Sequence, residues 1–301
     1  MSLRDFLAVV EILTKAVSFS ALLLGTLYAW YDIGSLRPLV LILVVLAALS
    51  VDMGTTAFNS FFDYARGVDN RLFNREGDKV LVHGGVAPGH ALLISGALFA
   101  VAAGLGIALA VLVHPVLILV GVVSMAVGFL YNAGPLPISR TPVGEVFAGG
   151  FLGTVLMLIA YSVHGRAPDT GVFFVSLPSW LFVASILTTN NTCDIEGDRA
   201  AGRRTLSVLL GRRAGAAIIV GLAAAAYGVM VVLGAGSVLP WTVWPAAAVG
   251  AAASVPVYRG MLRRGFSHET KGLSMRSILR AFLIYTVVYA AAIVVGGLLP
   301  A

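Results

Sequence analysis

Nine apolar stretches, most of them close to twenty residues long, run the length of this chain with short polar segments between them. They lie at about 16–31, 38–61, 90–112, 115–132, 144–163, 172–192, 214–234, 239–258 and 276–298. A helix needs about 20 apolar residues to cross a bilayer, and it satisfies its own backbone N–H and C=O groups where no water can. Of 301 residues, 59% are hydrophobic and only 11% are charged, whereas soluble domains carry roughly 25% charged residues. Mean hydropathy is +0.95. So much apolar surface cannot be hidden from water inside one chain. The expected fold class is all-α and integral to a membrane, with nine transmembrane helices. Pro38, Pro115, Pro178 and Pro240 fall near the starts of stretches, where a missing N–H does least harm.

Basic residues alternate in density from loop to loop. The N-terminus and the loops after stretches two, four, six and eight hold 17 of the 20 Lys and Arg residues, and the other side has Arg37 and Arg166. That bias predicts a cytoplasmic N-terminus and an external C-terminus. It also accounts for the net charge of +6 without a nucleic-acid partner. One cysteine, Cys193, excludes an intramolecular disulfide. The first residues carry Asp5 and Glu11 and lack a small-residue cleavage site, so no signal peptide is expected. Met1 to about Lys15 reads as a short interfacial helix. No Pro/Ser-rich linker divides the chain, so residues 1–301 are expected to form a single domain.

Two acidic patches interrupt the apolar pattern, each where a long stretch ends. One reads Asn59-Ser-Phe-Phe-Asp63-Tyr-Ala-Arg66-Gly67-Val-Asp69, the other Asn190-Asn191-Thr-Cys-Asp194-Ile-Glu196-Gly-Asp198-Arg199. Asn59 and Asp63 are four apart and share a helix face; Asn190, Asp194 and Asp198 are spaced as if along one face of a second helix, flanked by Asn191. Carboxylates near membrane depth are costly and functional by default. Oxygen-only ligands favour Mg²⁺, which takes one or two carboxylates together with substrate phosphates and water. The pair of patches therefore suggests a clamp for divalent metal and diphosphate. Two alternatives compete. The carboxylates could merely tie loops down through Arg66, Arg71, Arg199 or Arg203, or the chain could be a cation-coupled transporter, although transporters more often place such groups at the bilayer centre.

At these residues the chain resembles the UbiA superfamily of intramembrane prenyltransferases, within it the 1,4-dihydroxy-2-naphthoate prenyltransferases of menaquinone biosynthesis. Asn59 to Asp69 is similar to the family's first motif. The run from Asn190 to Leu206, with Gly202, Thr205 and Leu206 in place, is similar to its second. Tyr131-Asn-Ala-Gly-Pro135 and Gly144-Glu145 resemble a further family segment. Departures are Cys193 where the family often has Arg, Ser139-Arg140 where many relatives have Lys, and Lys15-Ala16 where Arg-Pro is usual.

The resemblance implies a helical bundle around a central cavity open to the cytoplasm and laterally to lipid, in a bacterial or archaeal cytoplasmic membrane. It implies Mg²⁺ held by Asn59, Asp63, Asn191, Asp194 and Asp198. Asn190 and Asp69 would contact substrate, while Arg66, Lys79, Arg140 and Arg204 would neutralise the phosphates. Tyr131 could line the site of the allylic cation or simply pack. Asp52, seven residues before Asn59 on the same face, could serve an acceptor hydroxyl or its deprotonation, or cap a Ser or Thr inside the bundle. The implied partners are a polyprenyl diphosphate, a small aromatic acceptor and membrane lipid, with no obligatory protein partner. Other acceptors in the superfamily are homogentisate, hydroxybenzoate, a tetrapyrrole and a glycerol phosphate lipid.

Overall fold

The computed structural model describes residues 2–68, 80–83 and 85–299. Among these the regular structure is helical. After the short α1 (Leu3–Val9) come α2 (Ala16–Ile33), α3 (Pro38–Ala65), α4 (Pro88–Leu112) and α5 (Val116–Asn132). Then follow α6 (Gly144–Ala148), a π-helical segment (Gly149–Val155) and α7 (Leu156–Ser162), which form one continuous rod. The rest is α8 (Thr170–Cys193), the short α9 (Ile195–Ala200) and α10 (Leu206–Leu210), α11 (Arg212–Ala235), α12 (Val243–Arg264) and α13 (Lys271–Leu298).

Local chemistry sets several of these ends. Pro38 and Pro88 occupy first-turn positions of α3 and α4, and the Asp169 side chain accepts from the Val172 N–H to cap α8. Pro178 departs from expectation: α8 starts at Thr170, so this proline lies inside the helix. The single interfacial helix expected before Lys15 is also broken. Ser2 and Asp5 form a capping box on α1, Glu11 then turns left-handed at φ 47°, and a 3₁₀ turn over Ile12–Lys15 runs into α2.

Seven helices among the described residues are long and apolar enough to cross a membrane. Of the other two expected spans, α5 has 17 residues and α12 carries Arg259, Arg263 and Arg264 in its second half. Large apolar side chains such as Leu93 and Val111 remain mostly exposed, as a lipid-facing surface requires. The protein is an integral membrane protein.

The dense core lies among α2, α7, α8, α11, α12 and α13, around Tyr28, Tyr161, Phe182, Tyr227, Tyr285 and Tyr289. Phe182 and Tyr285 stack at 4.3 Å between ring centres. Two of the buried phenols are hydrogen-bonded across helices: Tyr285 pairs with Ser179 Oγ at 2.8 Å, and Tyr289 donates to the Val175 carbonyl at 2.9 Å. On the other side α3, α4 and α5 pack together and face outward more. Close approach of the π-helical segment to α8 depends on glycine. A Cβ on Gly153 would lie 2.6 Å from the Trp180 backbone nitrogen, and one on Gly149 would overlap the indole. Between the dense half and the α3–α5 half a cavity opens.

Candidate active site

The cavity has a volume of about 460 Å³. Its walls come from the 3₁₀ turn over Ile12–Lys15, α2, α3, α4, α5, α6, the π-helical segment, α7, α8, α9 and α13. Along α3, Asp52, Thr56, Asn59 and Asp63 all face it, at the spacing of one helical face. From the other patch come Asn190, Asn191, Asp194 and Asp198, and Tyr131 lines it from α5. The fold thus brings both patches and Asp52 to one space. Arg66, Arg140 and Arg204 are not among its walls. Arg66 donates to the carbonyls of Asn132 (2.5 Å) and Gly134 (3.0 Å) and lies over the Phe62 ring. Arg140 donates to the Ala201 carbonyl and receives the Arg204 backbone N–H on its own carbonyl. Asp69 and Lys79 lie outside the described residues.

The second patch differs from the single continuous face expected of it. Asp194 ends α8 with φ −96° and ψ 10° and begins α9, so Asp198 sits on a separate short helix. That break gives the two patches the same local design. At the end of α3 the Val68 N–H donates to the Asp63 carbonyl (2.9 Å) and Gly67 N–H to Tyr64 (3.0 Å). At the end of α9 the Arg203 N–H donates to the Asp198 carbonyl (2.8 Å) and Gly202 N–H to Arg199 (3.1 Å). Both are Schellman turns, with glycine in the left-handed position at φ 67° and 69°. Asp63 and Asp198 therefore hold equivalent stations, four residues before the turn glycine.

Cations lie on these carboxylates. The Arg203 guanidinium donates to Asp63 Oδ1 at 2.5 Å and approaches Asp198 Oδ1 at 3.4 Å, bridging the two turns. Lys271 Nζ, from α13, is 2.8 Å from Asp194 Oδ2. Asp198 is 3% exposed, and that burial pushes its carboxyl up to about 6, against the pull of Arg203. Thr205 Oγ1 donates to its other oxygen at 3.3 Å. Asn191 Nδ2 donates to the buried Glu145 at 2.8 Å, so Glu145 orients a side chain of the site as well as standing at a helix start. Deeper along α3, Lys15 Nζ donates to Asp52 (2.6 Å) and Thr56 (2.7 Å), and Ser18 Oγ donates to Asp52 (2.6 Å). The capping alternative for Asp52 is thus present, with an ion pair added.

A family model for UbiA prenyltransferases matches residues 17–279. The chain belongs to the UbiA prenyltransferase family. It is 32% identical over 229 residues to the 1,4-dihydroxy-2-naphthoate octaprenyltransferase of Bacillus subtilis, covering 76% of this chain and 73% of that one. Its fold matches a UbiA homologue from Aeropyrum pernix at TM-score 0.66 and 19% identity, over 92% and 97% of the two chains. A UbiA homologue from Archaeoglobus fulgidus, bound to DMAPP and Mg²⁺, matches at TM-score 0.63 and 16% identity, over 94% and 99%. This UbiA chain is a prenyltransferase.

In this UbiA protein the donor set fits a divalent metal in chemistry. Three carboxylates and three amide side chains from the two patches share the cavity. Asn59 Oδ1 is buried without a hydrogen-bond partner among the described residues, a cost that a ligand would remove. No group of three or more His, Cys, Asp or Glu side chains among the described residues is close enough to form a protein-only metal cage. Mg²⁺ does not need one, because substrate phosphates and water complete its shell. Sequence reasoning missed the cations that line this UbiA cavity. Lys271 is far from both motifs in the chain, and the sequence offers Arg203 only as a candidate loop tie. The motif spacing gives no signal for Lys271; its position at the start of an apolar helix, facing two acidic patches, was the available clue.

Proposed function

We propose that this protein transfers a polyprenyl group from an allylic diphosphate to a small aromatic acceptor, foremost 1,4-dihydroxy-2-naphthoate, in menaquinone biosynthesis. The observation that carries the reading is the convergence of Asp63 from α3, Asp194 from the end of α8 and Asp198 from α9 on one cavity with an apolar floor. Similarity to the Bacillus octaprenyltransferase supports the acceptor, and the DMAPP and Mg²⁺ bound to the Archaeoglobus homologue support the diphosphate and the metal. Asn59, Asp63, Asn191, Asp194 and Asp198 would hold Mg²⁺. When bound, Mg²⁺ offsets the negative charge that grows on the departing pyrophosphate.

The chain's own residues do the rest. Val44, Leu109, Leu117 and Ile159 wall the deep end of the cavity and take up the prenyl tail. Lys271 supplies a cation beside Asp194, where Cys193 replaces the Arg common in the family. The C–O bond to the diphosphate breaks and leaves an allylic cation; an electron pair of the acceptor ring forms the new C–C bond. The ring then discards a proton or, for a naphthoate, its carboxyl group as CO₂. Tyr131 and the apolar walls keep water from the cation, and Asp52 with Lys15 presents polar atoms to the acceptor. Nine spans in a bacterial or archaeal cytoplasmic membrane, with the N-terminus and cavity mouth on the cytoplasmic side, complete the reading; the distribution of Lys and Arg supports it.

The test supplies purified protein with Mg²⁺, allylic diphosphates of several lengths and a panel of aromatic acids, and identifies products by mass. Prenylated, decarboxylated dihydroxynaphthoate is the expected product. Reaction of a different acceptor while dihydroxynaphthoate stays untouched would overturn the menaquinone assignment.

A further inference from the structure

Three carboxylates face one cavity inside a membrane bundle, and such like charges repel strongly in a poorly screened space. Two side chains of the protein itself stand against that repulsion. Arg203 spans Asp63 and Asp198, one carboxylate from each helix-end turn, and is only 11% exposed in its side chain. Lys271 sits on Asp194 and is 10% exposed. The placement of Arg203 follows from the backbone: its N–H closes the turn on the Asp198 carbonyl, and the planar guanidinium reaches from there across to α3. A guanidinium offers a fork able to serve two carboxylates at once, which an ammonium cannot do equally well.

The oxygens that Arg203 and Lys271 contact belong to residues a divalent metal would take. A metal ion and a hydrogen-bonded guanidinium cannot share Asp63 Oδ1 at these distances. A diphosphate brings new anionic oxygens, which bind Arg and Lys through charge-assisted hydrogen bonds. We propose that Arg203 and Lys271 are the resident counter-ions of the metal-free site, and that they exchange from the carboxylates to the diphosphate when metal and diphosphate bind. This rests on the diphosphate reading above. In consequence metal alone binds against competition, and metal and diphosphate each favour the binding of the other.

The experiment uses the purified full chain in detergent: wild type, Arg203→Gln, Arg203→Lys and Lys271→Gln. Calorimetry measures Mg²⁺ alone and inorganic pyrophosphate in the presence of Mg²⁺; thermal melts are recorded with neither. Arg203→Gln and Lys271→Gln are each expected to bind Mg²⁺ alone about tenfold more tightly, to melt lower without ligand, and to bind pyrophosphate about tenfold more weakly. Arg203→Lys retains the charge without the fork and falls between wild type and Gln on all three measures; it carries the test if Arg203→Gln does not fold. Unchanged Mg²⁺ affinity in both Gln variants, or an Arg203→Lys protein indistinguishable from wild type, overturns the counter-ion exchange. If the wild type takes up Mg²⁺ and pyrophosphate in those cases, the prenyl-diphosphate reading stands without the exchange. A wild type that binds neither removes both.

Discussion

Gly202 allows charge placement to be separated from stability. Its φ of 69° is the left-handed value that closes the turn after α9, and a Cβ there would meet only Arg140 Nη2 at 3.6 Å, an ordinary contact. Gly202→Ala therefore adds backbone strain with no clash, roughly 1–2 kcal/mol. At RT of about 0.59 kcal/mol that shifts the balance between wound and unwound turn by roughly five- to thirtyfold. Unwinding breaks the Arg203 N–H bond to Asp198 and withdraws the guanidinium from Asp63. Gly34 is a matched control: it has φ 77°, ends α2, has nothing within 4 Å of an added Cβ, and does not line the cavity. Both Ala variants are expected to lose similar thermal stability. Only Gly202→Ala is expected to lose prenyl-transfer kcat/KM, by about fivefold or more, with Gly202→Asn retaining more because Asn tolerates the left-handed region. Equal kcat/KM in Gly34→Ala and Gly202→Ala would refute the reasoning that this turn organises the site.

Asp63→Ala and Asp194→Ala should each lower turnover by at least about 10²-fold while leaving folded protein, as size-exclusion profiles and circular dichroism would check. Metal affinity of the ligand-free protein, followed by Mn²⁺ binding, should weaken as pH falls through about 6, where Asp198 takes up its proton. The stability sign is the reverse: this carboxyl holds its proton more tightly folded than its ordinary 3.8, so its contribution is full below about pH 4 and lost as pH rises through about 6, which melts across that range would read. Lys15→Met removes the cation paired with the mostly buried Asp52 and should cost about 3–5 kcal/mol; adding Asp52→Asn should recover much of that in a chemical-denaturation comparison.

The long helices were legible because an apolar run and a bilayer allow few other structures, and Pro38 and Pro115 mark two starts. Where expectation and structure part, tertiary contact is the reason. The spacing of Asn190, Asp194 and Asp198 suits an unbroken helix, and nothing local announces the break at Asp194. Arg66 and Arg140 stand beside the motifs in the chain yet turn to backbone carbonyls at loop ends. Lys271 and Lys15 reach the cavity only because α13 and α2 pack beside it. The Asp52 face along α3 followed directly from helical spacing, while its partners Lys15 and Ser18 lie 37 and 34 residues earlier, beyond any local pattern.

The π-helical stretch over Gly149–Val155 amounts to an inserted residue within an otherwise regular rod. Each residue of an α-helix advances the winding by about 100°, so the insertion offsets the azimuth of everything before it relative to everything after. Glu145 owes its meeting with Asn191 to that offset, while Met157 and Tyr161 on the far side still point into the aromatic core. Deleting one residue here would restore ideal winding and shorten the rod slightly. It would also swing either the carboxylate or the tyrosine out of phase, and so part Glu145 from Asn191 or Tyr161 from the aromatic core.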